Sequence, residues 1–273
     1  MKAGLLMAAF AALAVGQRPS VGQTLTAGDV RAKRVIDDAV AALGGEKFLN
    51  MQDRIESGRA YSFYHDRLSG LTIAKIYTRY LVVPPEKSGQ DLGLREREAF
   101  GKNEETAAVF REDVASNLNW RGAKAVPKDE FERYRDSTLR DIFYILRQRL
   151  HEPGLIFESR GSDVVDHVPV EIVDITDSEG LTTTVYFSSL DKLPVRQILK
   201  RRNEQFKDFD TDETIFAKYR DVGGGVKWPF SIRRFRNKEK LFELYSDSVQ
   251  INRNLKDDLF TLPANIKILP PAR

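Results

Sequence analysis

Few side chains in this sequence are suited to acid–base, nucleophilic or metal chemistry. The chain of 273 residues has three histidines, His65, His151 and His167, and no cysteine. Without cysteine there is no thiolate nucleophile, no thiolate zinc site, no disulfide framework and no sulfur to which a lipid could be attached. We therefore predict that the protein is not a lipoprotein, and the histidines and carboxylates remain as candidates for chemistry.

The three histidines are poorly placed for catalysis or for metal binding. His65 and His167 each stand beside an aspartate near the end of a predicted strand, where adjacent side chains point to opposite faces of a sheet. His151 ends a predicted helix, where the helix dipole favours a protonated imidazole. A Glu-Pro pair follows it, so the HExxH arrangement of a zinc helix is missing.

A run of alternating acids resembles the start of a calcium-binding loop. Asp208, Asp210 and Asp212 have the spacing of the first ligands of such a loop. The sixth position, however, is Glu213 where glycine is needed, and the twelfth is Tyr219 where glutamate is needed. A solvated loop is the favoured interpretation, and we predict no metal site and no cofactor.

Other catalytic motifs are missing as well. The chain has no G-x-S-x-G elbow, no phosphate-binding glycine loop before a helix and no G-x-G-x-x-G after a strand. The three glycines at 223–225 lie between two predicted strands and indicate a turn. Because no nucleophile–base pair or metal-ligand set is present, we predict a protein that is not an enzyme and has no catalytic residues.

The beginning of the sequence has the order of an export signal. Lys2 precedes an uncharged, mostly apolar run at 3–15, as in a cleavable signal peptide. This run is shorter than the ~20 apolar residues that cross a bilayer. Small residues fit cleavage after Gly16 or after Gly22. We predict a signal peptide at 1–22, export to the periplasm and one mature domain over 23–273; a buried N-terminal helix is the alternative.

The charge of the chain does not favour a nucleic acid as partner. The sequence has 43 basic and 40 acidic side chains, and residues 1–22 contain two basic and no acidic ones. The mature chain therefore has a formal charge of 41 − 40 = +1. The basic runs at 200–202 and 233–236 lie in stretches that alternate as strands, which indicates solvated strand faces.

The spacing of apolar residues predicts one helix followed by many strands. The amphipathic helix starts from an N-cap at Thr26 and stops at Gly44 and Gly45. Runs rich in β-branched and aromatic residues, separated by short turns, then predict successive antiparallel strands. The runs are 54–66, 71–83, 91–100, 105–112, 115–121, a strand from Leu155 onward, 168–175, 181–188, 194–202, 213–219, 226–236 and 240–251.

A helical segment interrupts the strands at 128–150. Its apolar stripe includes Ile142, Ile145 and Leu146, and a break at 136–137 would divide it into two helices. A large sheet has two faces, and these helices can cover only one of them, so the sheet should curl. The predicted fold class is mainly β with α (α+β): a large curled antiparallel sheet forms an incomplete β-barrel, with the N-terminal helix and the mid-chain segment covering its concave face.

Large apolar side chains are abundant on the predicted strands and on the mid-chain helix. A closed core and a ligand cavity are both compatible with this abundance. The residues predicted to line a cavity are Tyr61, Phe63, Tyr77, Ile142, Phe143, Leu146, Phe187, Phe216, Trp228 and Phe230.

Five stretches in the second half combine strand residues with distinctive turns. They are DKLPVR at 191–196, FAKYRDV at 216–222, GVKWPFSI at 225–232, V-x-I-N at 249–252 and DLFTLP at 258–263. Together with the first helix, which ends in Leu-Gly-Gly, they resemble the exported proteins of the outer-membrane lipoprotein-sorting (LolA/LolB-like) superfamily. The resemblance loosely covers 27–265, is sharpest over 190–263 and includes no reactive residue, so it concerns the fold more than the function.

The resemblance implies an incomplete β-barrel whose helices line or plug an apolar concavity. In the best-understood members, this concavity shelters the acyl chains of lipoproteins that cross the periplasm. On this basis we expect a soluble envelope carrier of a lipid or lipoprotein acyl chain, monomeric and in only peripheral contact with membranes. The mid-chain helix would be a marginally held lid at 138–150, facing Trp228 and Phe230.

A hypothesis from another class is a protein-interaction module with the same fold. Its concavity would be filled by its own side chains, and open sheet edges with the mixed-charge stretch at 233–240 would contact an envelope protein partner. A co-purifying lipid would favour the carrier. A dry and tightly packed interior would favour the interaction module.

Overall fold

The computed structural model describes residues 27–203 and 206–270. The predicted signal peptide at 1–22 and the predicted N-cap Thr26 lie outside the described residues, and the domain boundary at 23 stays a prediction. Within the described ranges, no helix combines the length and the apolar character that a membrane span requires.

Thirteen strands among the described residues form one antiparallel sheet. The first six strands are β1 (Asp53–Tyr64), β2 (Arg67–Tyr80), β3 (Leu94–Phe100), β4 (Thr106–Phe110), β5 (Ala115–Asn119) and β6 (Gly122–Ala125). The other seven are β7 (Ile156–Val165), β8 (Val168–Thr176), β9 (Thr182–Ser188), β10 (Pro194–Asn203), β11 (Asp208–Asp221), β12 (Lys227–Arg236) and β13 (Glu239–Ile251).

The strand order joins two meanders side by side. It runs β6-β5-β4-β3-β2-β1-β13-β12-β11-β10-β9-β8-β7, so the two meanders meet where β1 pairs with β13. The edge strands β6 and β7 do not pair with each other, and the curled sheet remains open. This confirms the predicted fold class, an α+β protein with a large curled antiparallel sheet.

Four α-helices accompany the sheet in the described part of the chain, besides short 3-10 turns at Pro85–Lys87 and Asp257–Phe260. They are α1 (Ala27–Leu43), α2 (Glu46–Leu49), α3 (Lys128–Leu139) and α4 (Ile142–Tyr144), and α4 continues into a π-helical turn over Ile145–Arg149. Helix α1 buries one stripe at helical spacing, from Ala32 to Leu43. It ends at Gly44, whose φ of 124° suits glycine, and an added Cβ there would lie 2.9 Å from the Cα of Val226.

The predicted break in the mid-chain helix was at the wrong place. The structure breaks it at Arg140 and Asp141, not at 136–137. Asp141 has an extended backbone, and its carboxylate accepts hydrogen bonds from the backbone N–H groups of Phe143 and Tyr144. The N–H of Ile142 donates to the side-chain oxygen of Gln197 on β10, at 2.9 Å. These partners satisfy the free N–H groups at the start of α4, which stabilises a new helix start there.

The alternating acids are in a strand, so the predicted solvated loop was wrong. β11 starts at Asp208, and its alternation places Asp210 and Asp212 on the same face as Asp208. The carboxylate of Asp212 pairs with Arg201 of β10 at 3.3 Å and with Arg236 of β12 at 2.8 Å. The neighbouring strands thus provide cationic partners, and these partners cannot be inferred from the sequence alone.

Two predicted strand boundaries also differ from the structure, and one strand, β6, was not predicted. The strand predicted at 71–83 runs from Arg67 to Tyr80, because the chain leaves the sheet before Pro84 and Pro85. The strand predicted from 91 begins at Leu94. The four residues of β6 contain no β-branched or aromatic side chain, and their outer edge is held by backbone hydrogen bonds between Ala123 and the segment at 267–269.

The two faces of the sheet are covered by different parts of the chain. Helices α1 and α4 pack on the concave face and enclose the largest core. The segment after β13 packs on the outer face over the first meander, where Phe260 is fully buried. The outer face therefore has its own small core and contributes nothing to the concavity.

Candidate ligand-binding concavity

One half of the concave face is closed by the helices. Phe143 of α4 lies 5.0 Å from Phe216, edge to face, and 4.7 Å from the ring of Trp228. Side chains from Ile142 to Leu146 are at most 4% exposed. The predicted cavity residues that meet in this closed half are Ile142, Phe143, Leu146, Phe187, Phe216, Trp228 and Phe230.

The other three predicted residues lie on the outer face. Tyr77 packs with Phe260 and the C-terminal segment, and its hydroxyl donates to Glu104 at 2.7 Å. Tyr61 and Phe63 follow the concave-facing Ala60 at odd spacing, so they point away from the concavity. Tyr61 meets Tyr245 edge to face at 5.8 Å. Because side chains alternate between the two faces of a strand, Tyr61, Phe63 and Tyr77 lie on the face opposite to the seven residues of the closed half.

The mid-chain segment is fixed by its own polar side chains. The guanidinium of Arg147 donates to the backbone oxygen of Met51 at 2.9 Å. Gln148 donates to the backbone oxygen of Leu81 at 3.0 Å. Arg149, 1% exposed, donates to the backbone oxygen of Leu139 at 2.6 Å and to Glu152. Such contacts are typical of a core element. They argue against a marginally held lid over 142–149.

A buried polar chain crosses the concave face and links the sheet to α3. Arg54 of β1 donates to the hydroxyl of Thr78 at 3.0 Å, and Thr78 donates to Glu96 of β3 at 2.9 Å. The hydroxyl of Tyr134 on α3 donates to the other oxygen of Glu96 at 3.1 Å. Burial and the nearby carboxylates raise the pKa of Tyr134 well above its usual value, so it remains a donor. The Nε of Arg54 is buried without a hydrogen-bond partner and is balanced only by an ion pair with Glu56 at 3.7 Å.

The same polar region touches the closed half through Trp228. The guanidinium of Arg54 lies over the indole ring, 4.0 Å from its centre. The indole N–H donates to Glu56 at 3.3 Å, and Glu56 also accepts from the hydroxyl of Ser246. Because cation–π and hydrogen-bond contacts hold both sides of the indole, this ring is fixed at the boundary of the closed half.

Beyond this boundary, α3 covers the concave face over β4 and β5, and a part built by β1, β2, β12 and β13 is open. Its floor is a small cluster built from strand residues alone, with Ala60, Ala74 and Leu244 buried at its centre. Around the centre lie larger apolar side chains that keep part of their surface exposed: Ile76, Phe100, Ile232 and Phe242. No residue of α1 or α4 belongs to this cluster among the described residues. We refer to this cluster and the charged residues around it as the open half.

Three charged side chains surround the open half. Glu98 lies on β3 between Ile76 and Ala108, and burial raises the pKa of its carboxyl to about 7, with Glu96 adding to the shift and Arg234 opposing it. Burial also raises the pKa of Asp141, again opposed by Arg234. Arg234 of β12 is exposed and lies 5.7 Å from the centre of the Phe242 ring.

Sequence analysis missed the residues of the open half. Ile232 and Arg234 continue the alternation of Trp228 and Phe230 along β12, and this spacing was the available signal. Phe100, Phe242 and Glu98 could not be placed, because their facing depends on pairing across β1, β2 and β13. The sequence prediction selected mostly large aromatic residues as the cavity lining. The centre of the open floor is instead built mainly from small residues.

The described histidines and acids are spread over separate parts of the fold. Among the described residues, no group of three or more His, Asp and Glu side chains is arranged to hold a metal ion. His65 and His167 occupy two-residue hairpin turns in which both residues have positive φ, as type I′ turns require. Their sequence positions next to an aspartate therefore have a structural explanation.

Comparison with known proteins identifies the fold. No family model matches the sequence, and a search of curated proteins also finds no match. Among solved structures, a domain described as an outer membrane lipoprotein-sorting protein from Vibrio parahaemolyticus is 10% identical; the match covers 85% of this chain and 97% of that one, with a TM-score of 0.57. A DUF1329 family protein from Desulfovibrio piger is 14% identical; the match covers 84% of this chain and 97% of that one, with a TM-score of 0.59.

A third structure is more distant. A LolA superfamily protein from Nitrosomonas europaea is 9% identical, with 84% of this chain and 97% of that chain covered and a TM-score of 0.49. The protein thus has a LolA-like fold, as the sequence resemblance implied. At these identities the likeness establishes the fold, and function has to be argued from the concavity itself.

Proposed function

We propose that this protein is a non-catalytic, exported carrier that binds a lipid or lipoprotein acyl chain in the open half of its concavity. The supporting observation is the apolar floor around Ile232 and Phe242, which is partly exposed although it lies on the inner face of the sheet. An acyl chain on this floor would gain about 0.8 kcal/mol for each methylene that it buries. The floor therefore gives affinity without polar recognition of the chain.

The closed half supports the same proposal by limiting where a ligand can lie. Its seven predicted residues already contact one another, and Ile142 and Leu146 are fully buried. Filling that space with a ligand would require α4 to leave the sheet, which would break the anchors of Arg147 and Arg149. The open half needs no such rearrangement at its floor. Export, a monomeric state and peripheral membrane contact complete the proposal.

The test starts with protein purified from cell envelopes and analysed by native mass spectrometry. A co-purifying lipid is expected. After lipid removal, titration with a fluorescent fatty acid should show that Phe242→Ala and Phe100→Ala each weaken binding by about 5- to 30-fold, because each loses 1–2 kcal/mol of apolar contact. Phe63→Ala is the matched control, since it removes the same ring from the outer face.

Two results would contradict the carrier. One is a protein that neither retains lipid nor binds the probe, which would favour the interaction module and its contact surface at 233–240. The other is equal weakening by the floor variants and by Phe63→Ala, which would mean that binding is not confined to the concavity. Chemical cross-linking in envelopes would then be the direct search for a protein partner.

A further inference from the structure

Two opposite charges in the open half have no ionic partner within 27–203 and 206–270. Among the described residues, the carboxylate of Glu98 makes no hydrogen bond or ion pair, and the guanidinium of Arg234 makes none either. They stand on β3 and β12, with β2, β1 and β13 between them. The curl of the sheet brings them close enough for Arg234 to act on the pKa of Glu98, yet they do not pair.

Other charges near the floor are already satisfied. Glu96 accepts hydrogen bonds from Thr78 and from Tyr134, so both of its oxygens are in use. Arg236 and Arg201 are paired with Asp212. The contrast singles out Glu98 and Arg234 as charged groups that face a shared space without partners in the part of the chain that the structure describes.

The start of α4 places a third charge over the same space. Asp141 caps this helix through backbone N–H groups of Phe143 and Tyr144, and Arg234 is the charged group that most lowers its pKa. Gln197, which accepts the N–H of Ile142, lies in one cross-strand row with Thr214 and Arg234, so the start of α4 and Arg234 share the same part of the concave face. The apolar ring of Phe242 lies beneath Arg234.

We propose that the open half binds the headgroup of a zwitterionic amphiphile, with its ammonium group at Glu98 and Asp141, its phosphate at Arg234 and its acyl chains on the apolar floor. This inference rests on the proposed carrier function and names the class of ligand. A charged group that loses water without a partner is costly, and a ligand carrying both charges satisfies Glu98 and Arg234 together. A fatty acid or an anionic lipid would satisfy only Arg234.

The experiment uses two lipids with identical short acyl chains. The full-length mature protein, freed of lipid, is titrated calorimetrically with dihexanoyl phosphatidylethanolamine and with dihexanoyl phosphatidylglycerol. We expect about tenfold tighter binding of the ethanolamine lipid, the size of one charge-assisted contact. Glu98→Gln keeps the side-chain shape and should abolish this preference by weakening only the ethanolamine lipid. Arg234→Gln should weaken both lipids.

The control and the remaining outcomes separate this inference from the carrier function. Glu158→Gln, an exposed glutamate of the edge strand β7, should leave the preference unchanged. Equal or stronger binding of the glycerol lipid by the unmodified protein overturns the headgroup site and leaves the carrier intact. A preference that survives Glu98→Gln overturns the role of Glu98. Absence of binding to both lipids overturns the inference, and the carrier function fails with it only if the fluorescent fatty acid does not bind and no lipid co-purifies.

Discussion

Phe143 on the short helix α4 lies 4.7 Å from the ring of Trp228 on β12. The indole ring is also held by the guanidinium of Arg54 over its face and by a hydrogen bond from its N–H to Glu56. A helix of three residues is not stable by itself, so its position depends on this tertiary contact and on the hydrogen bonds at its start. The contact closes one half of the concave face and leaves the other half accessible.

Removing this contact should reduce stability without removing the ligand site. Phe143→Ala is expected to lower the free energy of unfolding by about 3–5 kcal/mol, because it leaves a cavity in the closed core. Chemical denaturation measures the change, and Tyr61→Ala on the outer face should cost clearly less. Below the midpoint of unfolding, affinity for a fluorescent fatty acid should stay within a factor of about 3 of the original. A complete loss of binding would instead place the ligand in the closed half.

Hydrogen exchange should distinguish α3 from α4. Helix α3 buries only Phe131 and Leu139, whereas the segment at 142–149 is anchored to the sheet. We expect amides at 129–139 to exchange faster than those of β11 and β12, and amides at 145–149 to be protected as well as the strands. Lipid should slow exchange in α3. Fast exchange throughout 138–150 would restore the original prediction of a lid there.

Stability should depend on pH through Glu98. Its pKa is raised from 4.5 to about 7 in the folded protein by burial and by Glu96, while Arg234 opposes the shift. The folded state therefore holds the proton more tightly, so this stabilisation is present below about pH 4.5 and is lost as pH rises to about 7. Glu98→Gln should remove at most about 3 kcal/mol of this pH dependence. Asp141 and Tyr134 are the other titratable groups that face the same space. Denaturation curves of the original protein and of Glu98→Gln at pH 5 and pH 8 measure the difference in unfolding free energy.

The bulge where the two meanders meet should tolerate no side chain at Gly58. The pairing of β1 with β13 shifts register between Ser57 and Gly58. A Cβ added at Gly58 would lie 2.1 Å from the backbone oxygen of Tyr245, which cannot move without breaking the sheet. Gly58→Ala is expected to cost about 2–4 kcal/mol of unfolding free energy. Ser57→Ala, on the neighbouring residue, should cost under about 1 kcal/mol, and thermal unfolding compares the two.

Local sequence patterns determined most of the elements of this protein, with β6 and the start of α4 as exceptions. Apolar residues at helical spacing from Val30 to Leu43 and the Gly44 stop predicted α1, although Val30 is exposed, and β-branched runs predicted the strands. These signals depend on residues that are close in the chain, so they can be read without knowing the partner strand. The predicted curled sheet followed from the number of strands and the few helices available to cover them.

Only the tertiary structure decided which side chains face the concavity. A bulge, a register shift or a single residue at a strand end changes the face of every following side chain. Tyr61, Phe63 and Tyr77 were therefore predicted for the concave face and lie on the outer one. The open floor was missed for the same reason, since its centre depends on Ala60 and Ala74 facing Leu244 across strand pairs.

The position of the charged residues in the concavity also depended on the tertiary structure and not on the sequence pattern. The sequence gives no reason to connect Glu98 with Arg234, which are 136 positions apart (234 − 98). Pairing of β3 with β2 and of β12 with β13, and the curl between them, bring the two charges to one space. Composition and periodicity therefore determined a strand-rich α+β fold with a curled sheet, and long-range pairing decided where that fold leaves charge and apolar surface available to a ligand.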